Sequence, residues 1–246
     1  MEELLDMGLT QEQWNKGCEL HEKIEKLMHE MPLSRSMVIA DEGHLFSHMT
    51  SKCGSTSNIV TFIREEQSKR NAPLNFLDLG CSYGFVVALA AYLGCRSYGI
   101  EYEERYAEFG KKALDEARTQ GLESKFEPRI AYGNFFPQNF DVTPNIDPEA
   151  KAFINLNDEN FSESRKHDPY KNLGITPQDI DIFYHFQVQS FEQVTDFFSR
   201  YGKAGSFLLF NATSGRNLED IKPENVVLAK KPYEDFYIFQ KIDYLH

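Results

Sequence analysis

The sequence predicts an α/β fold: a parallel sheet that ends in an antiparallel hairpin, preceded by a helical N-terminal extension. Three observations predict it. Short apolar runs alternate with helical periodicity from residue 74 to about 212. A turn holding Gly80 and Gly84 joins the first of these runs to an apolar helix. Near the C-terminus, "NVVLAKK" and "FYIFQKI" are separated only by the turn "PYED", the pattern of two antiparallel strands.

Each element follows in order. Residues 11–31 carry Trp14, Cys18, Leu20, Ile24, Leu27, Met28 and Met31 at near-helical spacing, and Pro32 ends the run. "SNIVTFIREEQSKR" predicts a second helix, capped by Ser57 or Asn58. We therefore divide the chain into a helical extension over residues 1–54 and a main domain over 55–246. Strands are expected near 74–79, 96–101, 126–132, 180–186 and 206–212, with helices near 84–93, 103–120 and 190–201. Residues 137–178 interrupt the alternation and hold five of the ten prolines. A structureless loop of about 40 residues is uncommon in a compact domain, so this stretch is expected to be an ordered insertion or lid.

Composition narrows the function classes. The chain has 246 residues, 41% hydrophobic and 26% charged, enough for a substantial core. No apolar run approaches the ~18 residues a spanning helix needs, so no membrane role is expected. The acidic start "MEELLDMGLTQEQW" has no signal-peptide pattern, and an intracellular protein, cytoplasmic or nuclear, is expected. Cys18, Cys53, Cys81 and Cys95 form no C-x-x-C pair and no zinc spacing, which suits a reducing compartment. His44 and His48 share an i, i+4 spacing but lack an evident third ligand, so no metal site is expected. The net charge of −12 gives no strong nucleic-acid signal, and it tolerates a basic protein partner or a small molecule.

The chemistry concentrates at the glycine turn. In an open parallel sheet, ligands bind at the carboxyl ends of strands where the connection direction switches. Asp78 closes the first apolar run, the turn "GCSYG" follows, and Glu101 ends the next strand. A carboxylate in that second position accepts the hydroxyls of a ribose. This fits either a dinucleotide or another adenosine-containing cofactor. Three details favour the latter. The spacing is G-x-x-x-G, with Ser82 where a dinucleotide fingerprint carries its middle glycine. Asp78 would repel a pyrophosphate but suits the ammonium of an amino-acid moiety, through water. The terminal hairpin is the third. Together they point to S-adenosyl-L-methionine.

"FLDLGCSYG" resembles the first motif of class I S-adenosylmethionine-dependent methyltransferases, and "YGIEYEE" their second. More narrowly, the chain resembles the disruptor-of-telomeric-silencing (Dot1-type) histone-lysine methyltransferases over roughly residues 53–240, outside the insertion. "CGSTSNIVTFI", "GIEYEERYAEFGKKA", "YGNFF" and "ATSGRNLEDI" carry that likeness. It implies a Rossmann-like class I fold, with Asp78, Gly80, Cys81, Ser82 and Gly84 around the methionine part of the cofactor. It implies Glu101 at the ribose, Asn134 and Phe135 at the adenine, and Ser55, Thr56 and Ser57 on a loop closing over the cofactor. Cys53 and Ser55 stand where the family has tyrosine and glutamate, and Asn134 where it has aspartate. "YHFQ" replaces its asparagine-phenylalanine, so His185 falls near the asparagine.

Methyl transfer from a sulfonium is an in-line displacement, so holding the acceptor in place supplies much of the acceleration. A lysine acceptor must first be neutral, which an aromatic, dehydrated channel favours. Tyr184, His185 and Phe186 are the catalytic candidates, with Gln187, Phe210 and Asn211 beside them. His185 fits a proton-handling or orienting role and a structural role equally well, and about half of Tyr184, Phe186 and Phe210 are expected to be core. Cys81 reads as a small filler. "KHDPY" at 166–170 lacks the preceding strand that a base-methylating motif requires. The first-choice acceptor is a protein lysine, on a basic, histone-like substrate, by resemblance alone. A small-molecule acceptor is the alternative, and a non-catalytic cofactor-binding protein a third. A nicotinamide-dependent oxidoreductase is opposed by the turn spacing.

Overall fold

The computed structural model describes residues 10–29, 53–141, 159–186, 191–211, 218, 222–233 and 236–243. Among these residues α1 (Gln11–His29) and α2 (Cys53–Ser68) come first. The alternating part runs β1 (Asn75–Leu79), α3 (Phe85–Tyr92), β2 (Arg96–Glu101), α4 (Glu104–Thr119) and β3 (Arg129–Tyr132). Two short helices follow, α5 (Glu159–Ser164) and α6 (Pro169–Leu173), and then β4 (Ile182–Phe186), α7 (Phe191–Tyr201) and β5 (Phe207–Asn211). The hairpin β6 (Val226–Tyr233) and β7 (Phe236–Lys241) completes the order.

These seven strands form one sheet, ordered β3-β2-β1-β4-β5-β7-β6. The first five are mutually parallel, and β7 inserts antiparallel between β5 and β6. Central strands of a parallel sheet are covered on both faces and so read as continuous apolar runs. Leu77 and Leu79 of β1 enter one core cluster with Phe183, Phe197 and Phe210. Phe76 enters the other with Ile182, Tyr184 and the wholly apolar α3. β6 lies at the sheet edge, and its pairing with β7 is irregular between Lys230 and Tyr233, where Pro232 is tolerated.

The sequence expectations for β1, β2, β4, β5, α3, α4, α7 and the hairpin agree with these bounds within one or two residues. β3 is shorter than expected, beginning at Arg129 directly after Pro128, which cannot donate to the ladder. The second helix begins at Cys53, so Ser57 and Asn58 lie inside it and neither caps it. Its first turn is held by tertiary bonds instead. Thr56 Oγ1 shares a hydrogen bond of 2.8 Å with His21 Nδ1, and Ser57 Oγ donates to Trp14 O at 3.4 Å. Gly17 permits this approach of α1: a Cβ there would stand 2.1 Å from Ser57 Oγ.

Of the expected insertion, residues 142–158 lie outside the described residues, as do His44, His48 and Gln187. The remainder is ordered by local chemistry. Asp168 accepts from Lys171 N at 3.0 Å and Pro169 occupies the first helical position, so "KHDPY" is a helix start. Tyr170 Oη donates to Phe135 O at 2.7 Å, and Arg165 donates to the carbonyls of Gln138 and Phe140, each at 2.8 Å. This segment therefore braces the chain that leaves β3. No helix among the described residues is long and apolar enough to cross a membrane.

Candidate functional site

β1 pairs with β2 on one side and β4 on the other, so the connection reverses across β1. Its carboxyl end is the topological switch of the sheet, where a crevice opens. The turn from β1 into α3 is built on backbone. Gly80 N and Cys81 N donate to Ile100 O at 2.9 and 3.1 Å, tying the turn to β2. Gly80 has φ +82° and Gly84 φ +86°, values L side chains rarely adopt. The two glycines differ in what surrounds them. A Cβ at Gly84 would stand 2.6 Å from Ile130 Cδ1, so that position is set by packing. A Cβ at Gly80 would meet nothing within 4 Å, so the backbone there borders open space that a ligand can approach.

Between them Ser82 is the non-glycine residue with positive φ among the described residues, at +48°. Such strain persists when the surroundings over-determine it. Here Glu101 does so: Ser82 N donates to Glu101 Oε2 at 2.7 Å, and Glu103 N donates to Oε1 at 3.0 Å. With the backbone N–H of Tyr102 a third donor, most acceptor sites of this carboxylate are used, which leaves capacity for a hydroxyl donor. Burial pushes the Glu101 carboxyl up to about 7 even though these backbone donors pull it down.

Asp78 is the second buried carboxyl. Registers Asp78↔Gly99 and Asp78↔Tyr184 place it beside β2 and β4, two positions from Glu101 across the ladder and on the same sheet face. It is only 3% exposed, and among the described residues its carboxyl has no hydrogen-bond or ion-pair partner. Burial pushes it well above the usual carboxylate range, and the charge of Glu101 adds to that. Two carboxyls that no cation pairs among the described residues, beside a turn open at Gly80, make a site suited to a positively charged ligand with hydroxyl donors.

The other sequence candidates divide into three groups. Cys81 lies in the turn, buried against the position a Gly99 side chain would fill, 2.6 Å from its Sγ. Burial and the nearby carboxyls push its thiol well up, so it is a filler and no nucleophile. Ser55, Thr56 and Ser57 are buried in the first turn of α2, which corrects the expectation of a closing loop. Their hydroxyls are bound within the protein, Ser55 Oγ accepting from Asn211 Nδ2 at 2.8 Å. That bond does bring Ser55 to the carboxyl end of β5, at the rim of the crevice.

Asn134 and Phe135 follow β3 directly, and Gly133 N donates to Glu101 O at 2.9 Å, so this segment adjoins the ribose candidate. Asn134 is engaged internally: its Oδ1 accepts from Phe136 N at 3.0 Å and its Nδ2 reaches Ser164 Oγ at 3.5 Å. The Phe135 ring is half-buried against Phe136, His185 and Phe197.

The three β4 candidates are not brought together. Tyr184 shares the face of Asp78 and stacks on Phe76 with ring centroids 6.5 Å apart. Phe186, half-buried, lies on that same face and aligns with Asn211. His185 falls on the opposite face, between Phe135 and Phe210. Its Nδ1–H donates to Leu79 O at 2.7 Å, and burial lowers its pKa to about 4. His185 is a neutral strut between β4 and β1 rather than a base beside Tyr184. Gln193, in the first turn of α7, was not among the sequence candidates, although it is a polar residue on the buried stripe of an amphipathic helix.

No family model matches the chain, and no curated protein does. Solved structures do. An RNA methyltransferase from Salinibacter ruber in complex with S-adenosyl-L-homocysteine shares 13% identity over 77% of this chain and 94% of its own, with TM-score 0.43. A ribosomal protein L11 methylase from Lactobacillus delbrueckii subsp. bulgaricus shares 8% identity over 78% and 81%, with TM-score 0.48. A T. thermophilus 16S rRNA N2 G1207 methyltransferase in complex with AdoMet and guanosine shares 12% over 77% and 43%, with TM-score 0.44. At these values the likenesses identify no activity or acceptor for this chain. The strand order itself, five parallel strands with an antiparallel seventh between the fifth and sixth, is that of the class I methyltransferase fold.

Proposed function

We propose that the chain is an S-adenosyl-L-methionine-dependent methyltransferase, with a protein lysine as its acceptor. One observation carries the cofactor assignment: the unpartnered, buried Asp78 carboxyl beside Glu101, at a turn open to approach over Gly80. S-adenosyl-L-methionine brings an ammonium, a sulfonium and a ribose diol, and these residues supply what each requires. Asp78 would hold the ammonium through water, and the backbone of Gly80, Cys81 and Ser82 would line the methionine chain. Glu101 would take the ribose, and the Asn134–Phe135 segment would flank the adenine. When bound, this group supplies an electrophilic methyl carbon.

The chain's own part is to place and dehydrate the acceptor. Tyr184 and Phe186 share the face of Asp78 at the carboxyl end of β4, and Asn211 with Ser55 closes the side toward β5. An aromatic wall excludes water and disfavours an ammonium, which keeps a lysine amine nucleophilic. His185, neutral and behind the sheet, supports that wall from the other face and removes no proton. The lysine assignment and the narrower likeness to the Dot1-type enzymes rest on the motif residues.

The test has two stages. Calorimetry or thermal shift should detect S-adenosylmethionine and S-adenosylhomocysteine but not NAD, with about 2.7 kcal/mol of stabilisation at a hundred times the dissociation constant. Stabilisation by NAD alone would reject the methyltransferase reading. Labelled methyl donor with histones, nucleosomes and a fractionated extract then identifies the acceptor. Label confined to metabolites would replace the lysine by a small molecule, and tight binding without transfer would mean a non-catalytic protein.

A further inference from the structure

α7 connects β4 to the parallel β5, so it runs against the strands and its N-terminus lies at the carboxyl edge of the sheet. Its apolar positions face two ways. Phe191 and Phe198 pack toward the sheet, with ring centroids 5.0 Å from Phe210 and 5.5 Å from Phe183. Phe197 touches Phe183 as well, at 6.1 Å, and extends from there toward the segment after β3, 6.3 Å from Phe135 and 6.0 Å from Phe136, with Tyr170 at 6.5 Å. Gln193 precedes Phe197 by four residues, so it shares that second face, one turn nearer the carboxyl edge.

This glutamine is 4% exposed, and among the described residues neither Oε1 nor Nε2 has a hydrogen-bond partner. Buried carboxamides are ordinarily satisfied, and an unpaired one is an explicit cost to the fold. A carboxamide offers an acceptor and a donor side by side. That pairs with a purine edge carrying an exocyclic amine next to a ring nitrogen, the two-point pairing glutamine makes with adenine.

On the reading above that the crevice takes an adenosyl cofactor, we infer that Gln193 recognises the 6-amino edge of its purine. The route of the nucleoside supports this. Its ribose on Glu101 directs the base along Gly133–Phe135, because Gly133 N is bonded to Glu101 O at 2.9 Å. Phe135 offers a half-buried ring face there, and the next layer beyond Phe135 is α7. Asn134 already holds Phe136 N with its carbonyl and Ser164 with its amide, whereas both atoms of Gln193 lack partners.

The experiment is a double-mutant cycle between protein and ligand, by calorimetry on the full chain. S-adenosylhomocysteine is compared with its 6-deamino analogue, whose purine lacks the exocyclic amine. The wild type is expected to bind the amino form about tenfold tighter. Gln193→Met, which keeps the shape and removes the amide, is expected to bind both forms alike at the weaker level, while its ligand-free Tm stays equal or rises. Gln193→Leu serves as the second variant with the same expectation. A purely structural glutamine would not move the amine preference. Wild-type protein that binds both forms equally, or variants that keep the preference, overturn the role of Gln193 and leave the cofactor assignment standing. Wild-type protein that binds neither form overturns the cofactor assignment and this inference with it.

Discussion

Replacing Glu101 by Gln should make the ligand-free protein more stable and the cofactor complex weaker, and the size of the first effect follows from the site. The folded protein raises this carboxyl from its ordinary 4.5 to about 7, chiefly by burial. Such a group contributes stability that is fully present below pH 4.5 and is lost as pH rises through 7. The full difference is about 3 kcal/mol at pH 8, reached only if the glutamine mimics the protonated acid in all other respects. One geometric cost reduces it: Ser82 N and Glu103 N both point at this side chain, and the carboxamide presents an acceptor to only one of them.

Urea denaturation of wild type and Glu101→Gln, without ligand, at pH 8 and pH 5 measures this. We expect the variant to lead by about 2–3 kcal/mol at pH 8. At pH 5, where the folded carboxyl is protonated and the pH stands only about half a unit above the ordinary 4.5 of the unfolded chain, the lead should shrink below about 1 kcal/mol. A variant less stable than wild type at pH 8, or an advantage independent of pH, would show that Glu101 is not a buried, destabilising charge. The same substitution should weaken S-adenosylhomocysteine by roughly 1.5–3 kcal/mol, the range for a hydrogen bond to a charged group. Opposite signs in the two assays separate a site built for a ligand from a residue built for the fold.

In the wild type, cofactor affinity should be full above pH 7 and fall by about tenfold per unit below it, since ribose binding requires an ionised Glu101; a flat calorimetric profile from pH 5.5 to 8.5 would count against this. Gly17→Ala should lower stability by about 1–3 kcal/mol, because the new Cβ would lie 2.6 Å from Ser57 Cα as well as against its Oγ, and an unchanged Tm would mean that α1 does not seat on α2 here. Asp181→Ala should cost about 2–3 kcal/mol in chemical denaturation, since its carboxylate accepts from Asn75 N and Arg70 at 2.8 Å each and pairs with Lys203 at 2.7 Å; a neutral result would mean these partners turn to water without loss.

Most of the sheet was legible because its strands are short apolar runs punctuated by Gly80 and the "PYED" turn, features local in sequence. The start of α2 was not. Gly54, Ser55, Thr56 and Ser57 are poor helix formers, and they are helical because His21, Trp14 and Asn211 bond their hydroxyls from distant elements. Strand alternation alone separates Tyr184 from His185, but which of them faces the cofactor turn depends on the Asp78↔Tyr184 register across the long connection. Gln193 shows the same limit, since Phe135, which packs on Phe197 of the same helix, comes from the segment after β3, far away in sequence.

Two buried aspartates state the difference between scaffold and site most directly. Asp181 stands at the amino edge of the sheet, just before β4, and the groups bonded to its carboxylate are all donors: Arg70, Lys203 and the N–H of Asn75. Asp78 sits at the carboxyl edge of the adjacent strand, equally buried, with Glu101 as its charged neighbour. The same residue type is stabilised by the fold at one edge and burdened by it at the other. Burial alone accounts for neither; the pattern follows if the missing counter-charge at Asp78 arrives with a ligand. The open space over Gly80 and the unpaired amide of Gln193 lie on that same carboxyl edge. An adenosyl sulfonium supplies a cation, a diol and a purine edge together, which is why one occupant answers all three.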